Sequence, residues 1–321
     1  MRICVFGAGA VGGHFAARLA AAGHDVSVVA RGAQLEAYRT RGATLLHGEE
    51  VIAGRVRTDP AGPQEAIIVA LKANALGAFA AAAAPLMDAG TAVVFAQNGI
   101  PWWHAPPLPA LDPGGALARA IPARNVVGGV VYSANEVIEP GVVRNFVPNN
   151  NMLVIGNANR EDLPAVHALR AALEGCGVSS PPVPDVRVSV WAKLAQNIAN
   201  SALCLLTEAS VSEVAVDPAL AELGRRLREE ALAIAAAHGI DVARAPQRPA
   251  GGHRSSAQGH KPSMLQDYLL GRPLEIEAQL RAPLEYARAR GVAVPVLEML
   301  VPLAAHKAMA KGLYQPYGTH P

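Results

Sequence analysis

The first apolar run, Arg2–Phe6 (RICVF), is short and apolar, and Gly7 stops it, which predicts a buried strand. From Ala10 to Ala22 an Ala-rich stretch carries its apolar positions at helical spacing. Gly23 follows where a helix takes its left-handed closing residue. Asp25–Ala30 (DVSVVA) alternates and is β-branched, a second strand. The same tests predict strands at Ala66–Leu71 and Thr91–Phe95 with a helix over Ala73–Met87 between them. Strands follow at Val126–Ser133, Gly141–Phe146 and Met152–Ile155, then a helix over Leu163–Glu174. Strands alternating with helices predict a parallel, doubly wound sheet.

Residues 101–122 interrupt this rhythm. Pro101, Pro106, Pro107, Pro109, Pro113 and Pro122 do not suit regular elements, so the segment reads as a long loop carrying Trp102 and Trp103. Past Pro181, Pro182 and Pro184 the strand signals vanish, and Val186–Ala310 is almost entirely helix-periodic, with Gly251–Gly259 as a loop between helices. The predicted fold class is therefore α/β: an N-terminal Rossmann-type dinucleotide-binding domain (1–183) followed by an all-helical C-terminal domain (184–321).

At 321 residues the chain is long for one core, which agrees with two domains. Its 51% hydrophobic and 17% charged residues describe a globular protein, and a net charge of +2 argues against a nucleic-acid or membrane-surface partner. The N-terminus lacks the pattern of a secretion signal, and runs such as Ala78–Ala84 are too short to span a bilayer, so a cytosolic protein is expected. Cys4, Cys176 and Cys204 are scattered with no CxxC, which fits a reducing compartment. His253 and His260 sit in no ligand-spaced pattern, and no metal site is expected.

The chemistry starts at Gly7-Ala8-Gly9-Ala10-Val11-Gly12, a GxGxxG that follows a strand and opens a helix. In that context Gly7 permits the tight turn, Gly9 lets backbone N–H groups approach a pyrophosphate, and Gly12 lets helix and sheet pack closely. At the end of the second strand an NAD enzyme usually carries Asp or Glu for the ribose hydroxyl. Here Arg31 stands there, suited to a 2′-phosphate and hence to NADPH, and Lys72, at the end of the strand Ala66–Leu71, could add a second positive charge.

In the second half, Lys193, Asn197, Asn200 and Ser201 fall on one narrow stripe of an Ala-rich helix. A stripe of one lysine with amides is unlike a solvated face of mixed charges, and reads as the wall of a cleft. Ser263 with Gln266 reads as a capping box opening the next helix. Gly271-Arg272-Pro273 then breaks the chain and permits a hairpin that would return Glu275 toward Ser263, with Lys193 as the candidate partner of its charge.

Together these residues resemble the ketopantoate reductase (2-dehydropantoate 2-reductase) family. The resemblance rests on GAGAVG, Arg31, LKA with Lys72, QNG with Asn98, WxKLxxN with Lys193 and Asn197, and SMLQD followed by GRxxEIE with Ser263 and Glu275. It implies an NADPH-dependent reductase of a small 2-keto acid, most closely 2-dehydropantoate to pantoate in pantothenate biosynthesis, working in a cleft between the two domains. It also implies roles: Lys193 as catalytic acid, Glu275 beside it as a catalytic and substrate-orienting group, Ser263, Asn197 and Ser201 on the substrate, and Asn98 lining both cofactor and substrate sites. Three positions depart from the family pattern. The second asparagine of the lysine helix is Ser201 here, beside Asn200. His260-Lys261 precede Pro262 where an asparagine is common, and Asn98–Trp103 is bulkier than usual. Two other readings compete: a 3-hydroxyacid or 6-phosphogluconate-type dehydrogenase, whose lysine helix spaces its asparagines differently, and an NADPH-binding sensor without catalysis. A homodimer is compatible with all three.

Overall fold

The structure, a computed structural model, describes residues 1–147, 150–247 and 259–318. It divides into two compact units. The first comprises Met1–Gln97 and Gly115–Val186, with Pro246 and Gln247. The second comprises Asn98–Gly114, Arg187–Ala245 and, from residue 259, the remaining described chain. The segment Asn98–Gly114, which sequence order assigns to the first domain, thus belongs to the second unit.

The elements of the first unit are β1 (Arg2–Phe6), α1 (Ala10–Ala21), β2 (Asp25–Val29), α2 (Gly32–Arg41), β3 (Ala43–His47), β4 (Glu50–Gly54), β5 (Ala66–Val69), α3 (Gly77–Ala82), β6 (Ala92–Phe95), α4 (Ala116–Ala120), β7 (Val126–Tyr132), β8 (Asn135–Glu139), β9 (Val142–Asn145), β10 (Met152–Asn157) and α5 (Pro164–Gly175). Six strands form one sheet in the order β10-β7-β6-β5-β1-β2. It is parallel except at β10, which runs antiparallel to β7. A second, four-stranded sheet in the order β4-β3-β9-β8 is not foreseen in the sequence.

Ile3 and Val5 of β1, Val28 of β2 and Leu45 of β3 are fully buried around Phe15 and Leu19 of α1. Each such side chain contributes about 1.5–3 kcal/mol on leaving water. Gly54 lets β4 approach that helix closely, since a Cβ there would meet the Ala20 Cβ at 2.5 Å.

The predicted helix Ala73–Met87 is broken. Only Gly77–Ala82 is α-helical, between short 3-10 turns at Ala73–Ala75 and Ala84–Leu86. Gly77 and Pro85 are both poor in a helix interior, which accounts for the interruption.

The second unit is built from α6 (Val186–Thr207), whose first residue closes the first unit, α7 (Val211–Val216), α8 (Pro218–Ala237), α9 (Ser263–Leu269), α10 (Ala282–Arg290) and α11 (Pro295–Ala310). Among its described residues there is no strand. Trp191, Leu205, Ile234 and Leu297 are completely buried in its core. The predicted loop Gly251–Gly259, with His253, lies outside the described residues except for Gly259. No helix of the described chain is long and apolar enough to cross a membrane.

Candidate active site

The glycine fingerprint forms the turn from β1 into α1. Gly7 has φ +95°, a left-handed conformation that favours glycine, and a Cβ on it would strike the Leu71 side chain at 2.7 Å. Leu71 immediately precedes Lys72, so the turn and the carboxyl end of β5 lie side by side. A Cβ on Gly12 would sit 2.3 Å from the Gly7 carbonyl oxygen, whereas one on Gly9 would meet nothing within 4 Å. Gly12 is therefore needed for packing, and Gly9 faces open space. Gly9 is also the N-cap of α1, with no capping side chain and no acidic residue in the first turn. Uncapped N–H groups beside open space fit the pyrophosphate of a dinucleotide. Ala8, Ala10 and Val11 complete this turn.

Two supports of the loop are not evident in the sequence. Tyr38, buried on α2, donates to the Ala8 carbonyl at 3.0 Å. The Gln97 amide donates to Val69 O at 2.8 Å and Leu71 O at 3.0 Å, fixing the end of β5. Arg31 is exposed at the end of β2 and occupies the N-cap position of α2. Lys72, half-buried, precedes the 3-10 turn after β5.

In the second unit Lys193 lies on α6 and its Nζ donates to Asn98 Oδ1 at 2.6 Å. Two residues 95 positions apart, singled out separately in the sequence, are thus brought together. Asn98 is held by its neighbours. Gly99 has φ +85° and packs so tightly that a Cβ would be 2.4 Å from Ala278 O. The same carbonyl accepts from Ile100 N at 2.8 Å. It is available because Glu277–Arg281 is a π-helical turn, in which the partner of Ala278 O would be residue 283, and 283 is a proline without an N–H.

The far end of this segment is anchored as well. The Trp191 indole donates to His104 Nε2 at 3.0 Å, and His104 Nδ1 lies 2.9 Å from the Tyr286 hydroxyl. An indole N–H can only donate, so Nε2 carries no proton and Nδ1 does. The hydroxyl of Tyr286 donates in turn to Pro106 O at 2.5 Å. All three side chains are buried, and burial pushes the Tyr286 hydroxyl above its ordinary pKa. The loop around Trp102 and Trp103 is therefore fastened to α6 and α10. The sequence offers no signal for this network beyond the aromatic content of the loop.

Asn197 and Asn200 are half-buried on α6. Ser201 is 3% exposed, and its hydroxyl donates to Gln279 Oε1 at 3.2 Å. Glu275 is half-buried just before the π-helical turn and accepts from Gln279 Nε2 at 3.4 Å. The capping box foreseen at Ser263 does not form. Pro262, already extended, takes the N-cap place, and Ser263 becomes the first, exposed residue of α9. Gln266 Nε2 donates to Lys261 O at 2.8 Å instead.

A dinucleotide turn in a Rossmann-type unit, with a lysine held by an amide in a helical unit, defines a nicotinamide-dependent oxidoreductase. The chain belongs to the ketopantoate reductase family. The family model described as Ketopantoate reductase PanE/ApbA matches residues 3–160, and its C-terminal counterpart matches residues 185–308. A 2-dehydropantoate 2-reductase of Mesorhizobium japonicum is 35% identical across 98% of this chain and 100% of its own. One of Mycobacterium tuberculosis is 31% identical across 94% of this chain and 96% of its own. The crystal structure of the 2-dehydropantoate 2-reductase from Geobacter metallireducens superposes with a TM-score of 0.81 at 28% identity, covering 95% of this chain and 99% of that one.

Proposed function

We propose that the chain reduces 2-dehydropantoate to pantoate with NADPH. The observation that carries this reading is the Lys193–Asn98 hydrogen bond of 2.6 Å, which joins two family motifs and fixes an ammonium group. The glycine turn would hold NADPH, with Arg31 and Lys72 as the groups for its 2′-phosphate, and the bound cofactor would supply the hydride. The substrate carbonyl then becomes an alkoxide, and the Lys193 ammonium stabilises the developing charge and delivers the proton to that oxygen. Lysine suits this task because it can release its proton, which arginine cannot. Asn98, by accepting from Nζ, keeps the ammonium in one position. Asn197 and Ser263 offer an amide and a hydroxyl to the substrate carboxylate, and Glu275 accepts from the substrate hydroxyl.

The test is turnover of NADPH with a panel of 2-keto acids. The expected result is the highest kcat/KM with 2-dehydropantoate. A clear preference for another 2-keto acid would move the substrate, and no turnover with any would remove the reductase reading. A second copy of the chain is proposed as its protein partner. Met299 and Leu303, one turn apart on α11, are 62% and 52% exposed, and pairing would cover such apolar surface. Sedimentation velocity showing only a monomer at assay concentration would remove that partner.

A further inference from the structure

The π-helical turn places a buried amide between Ser201 and Glu275, hydrogen-bonded to both. Gln279 is 3% exposed. Its Oε1 accepts from Ser201 Oγ at 3.2 Å and its Nε2 donates to Glu275 Oε2 at 3.4 Å. A carboxylate can only accept, so the amide cannot turn over without setting its oxygen against Glu275. Glu275 therefore fixes the orientation of Gln279, and the Ser201 hydroxyl, able to donate or accept, anchors the other end by donating to Oε1. Ser201 lies on α6, two helical turns after Lys193, and its short hydroxyl leaves room for an amide contributed from the neighbouring element.

We propose that Gln279 is a positioning residue: braced by Ser201, it holds the Glu275 carboxylate in the orientation that the reduction uses. This rests on the assignment of Glu275 to the substrate site made above. A neutral amide suits the task because it restrains the carboxylate without neutralising it. An arginine or lysine would compete with the substrate for the same charge.

The experiment combines Gln279→Leu, Ser201→Ala and Glu275→Ala in a kinetic cycle. Gln279→Leu keeps the volume and removes the donor, and should lower kcat/KM for the keto acid about tenfold or more, the range of a lost bond to a charged group. NADPH affinity should hold. In the Glu275→Ala background the same change should have almost no further effect, which a merely structural role would not produce. An equal loss in both backgrounds overturns the proposal. Ser201→Ala, which leaves the amide unbraced, should act in the same direction and more weakly, and serves if Gln279→Leu does not fold. A crystal structure of the variant reads the proposal independently of turnover. The Glu275 carboxylate should leave its wild-type position, and finding it unmoved overturns the proposal even where the wild type turns over no keto acid.

Discussion

Arg31 stands where a dinucleotide enzyme specific for NADH places a carboxylate, and it is exposed at the mouth of the glycine turn. An acidic residue there would repel a 2′-phosphate. Arg31→Asp should raise the KM for NADPH and narrow the preference over NADH, read from steady-state kinetics with both cofactors. Equal use of the two by the unaltered protein would show that Arg31 does not select. A second group of basic residues joins the buried His14 and Arg18 of α1 to the half-buried His47 at the end of β3. Arg18 donates to Cys176 O at 2.9 Å and to the His47 ring, while neither ring nitrogen of the buried His14 has a partner. Burial, followed by the adjacent Arg18 charge, lowers the pKa of both histidines, that of His14 far below 6.5. The unfolded chain therefore takes up protons first as the pH falls. The stability of the folded state is complete with both rings neutral and declines below about pH 6.5. The melting temperature should drop between pH 7 and 5, and His14→Leu should flatten that slope. Parallel curves for the two proteins would show that His14 contributes nothing. Single residues stood out in the sequence where their chemistry is unusual for their place: Arg31 does follow β2, and Lys193 does meet Asn98, a residue of another motif. His104 and Gln279 did not, because their hydrogen bonds are made to partners 87 and 78 positions away.

Long periodic elements were the most readable. β1, α1 and β2 end within a residue of their predicted bounds, since an apolar run, a helical repeat and Gly23 mark them clearly. The small sheet was missed because β3 and β4 are each 5 residues long and β4 is largely exposed, leaving little alternation to detect. Elements also depend on anchors that sequence does not reveal. The N-terminus of α11 has no cap of its own, and both carboxylate oxygens of Glu230 on α8 accept from it, from Val296 N and Leu297 N at 2.9 Å each. Glu230→Ala should cost about 1–2 kcal/mol in a urea melt, the scale of a lost helix cap. Glu230→Gln should recover part of the loss, and an unchanged midpoint for the alanine variant would show that α11 does not need the cap. The turn at Gly99 makes a harsher demand. Alanine there would combine a positive φ with a 2.4 Å approach to Ala278 O, so the turn must open and release Asn98 from Lys193. Gly99→Ala should lose at least about tenfold in kcat, on the scale of one misplaced catalytic group. Retention of full activity would mean that the turn adapts at no cost.

At the scale of the whole molecule, the proposed function gives the two units separable duties. The glycine turn, Arg31 and Lys72 belong to the first unit, and Lys193, Asn98, Gln279 and Glu275 to the second. Sequence order conceals part of this division. Asn98 follows β6 of the first unit by three residues, yet its side chain is bonded within the second. Loss of chemistry should therefore separate from loss of cofactor. Lys193→Ala removes the proposed proton donor, and general acid catalysis is worth about 10²–10⁴ in rate, so kcat should fall by at least about two decades. NADPH affinity, measured by fluorescence titration, should stay near that of the unaltered protein, with circular dichroism as the folding control. Lys193→Arg should also be poor although the charge is retained, because a guanidinium does not readily give up a proton. If Lys193→Ala keeps most of its kcat on the best keto acid, another group delivers the proton. If it loses NADPH affinity along with turnover, Lys193 serves the cofactor and the division of duties between the units does not hold.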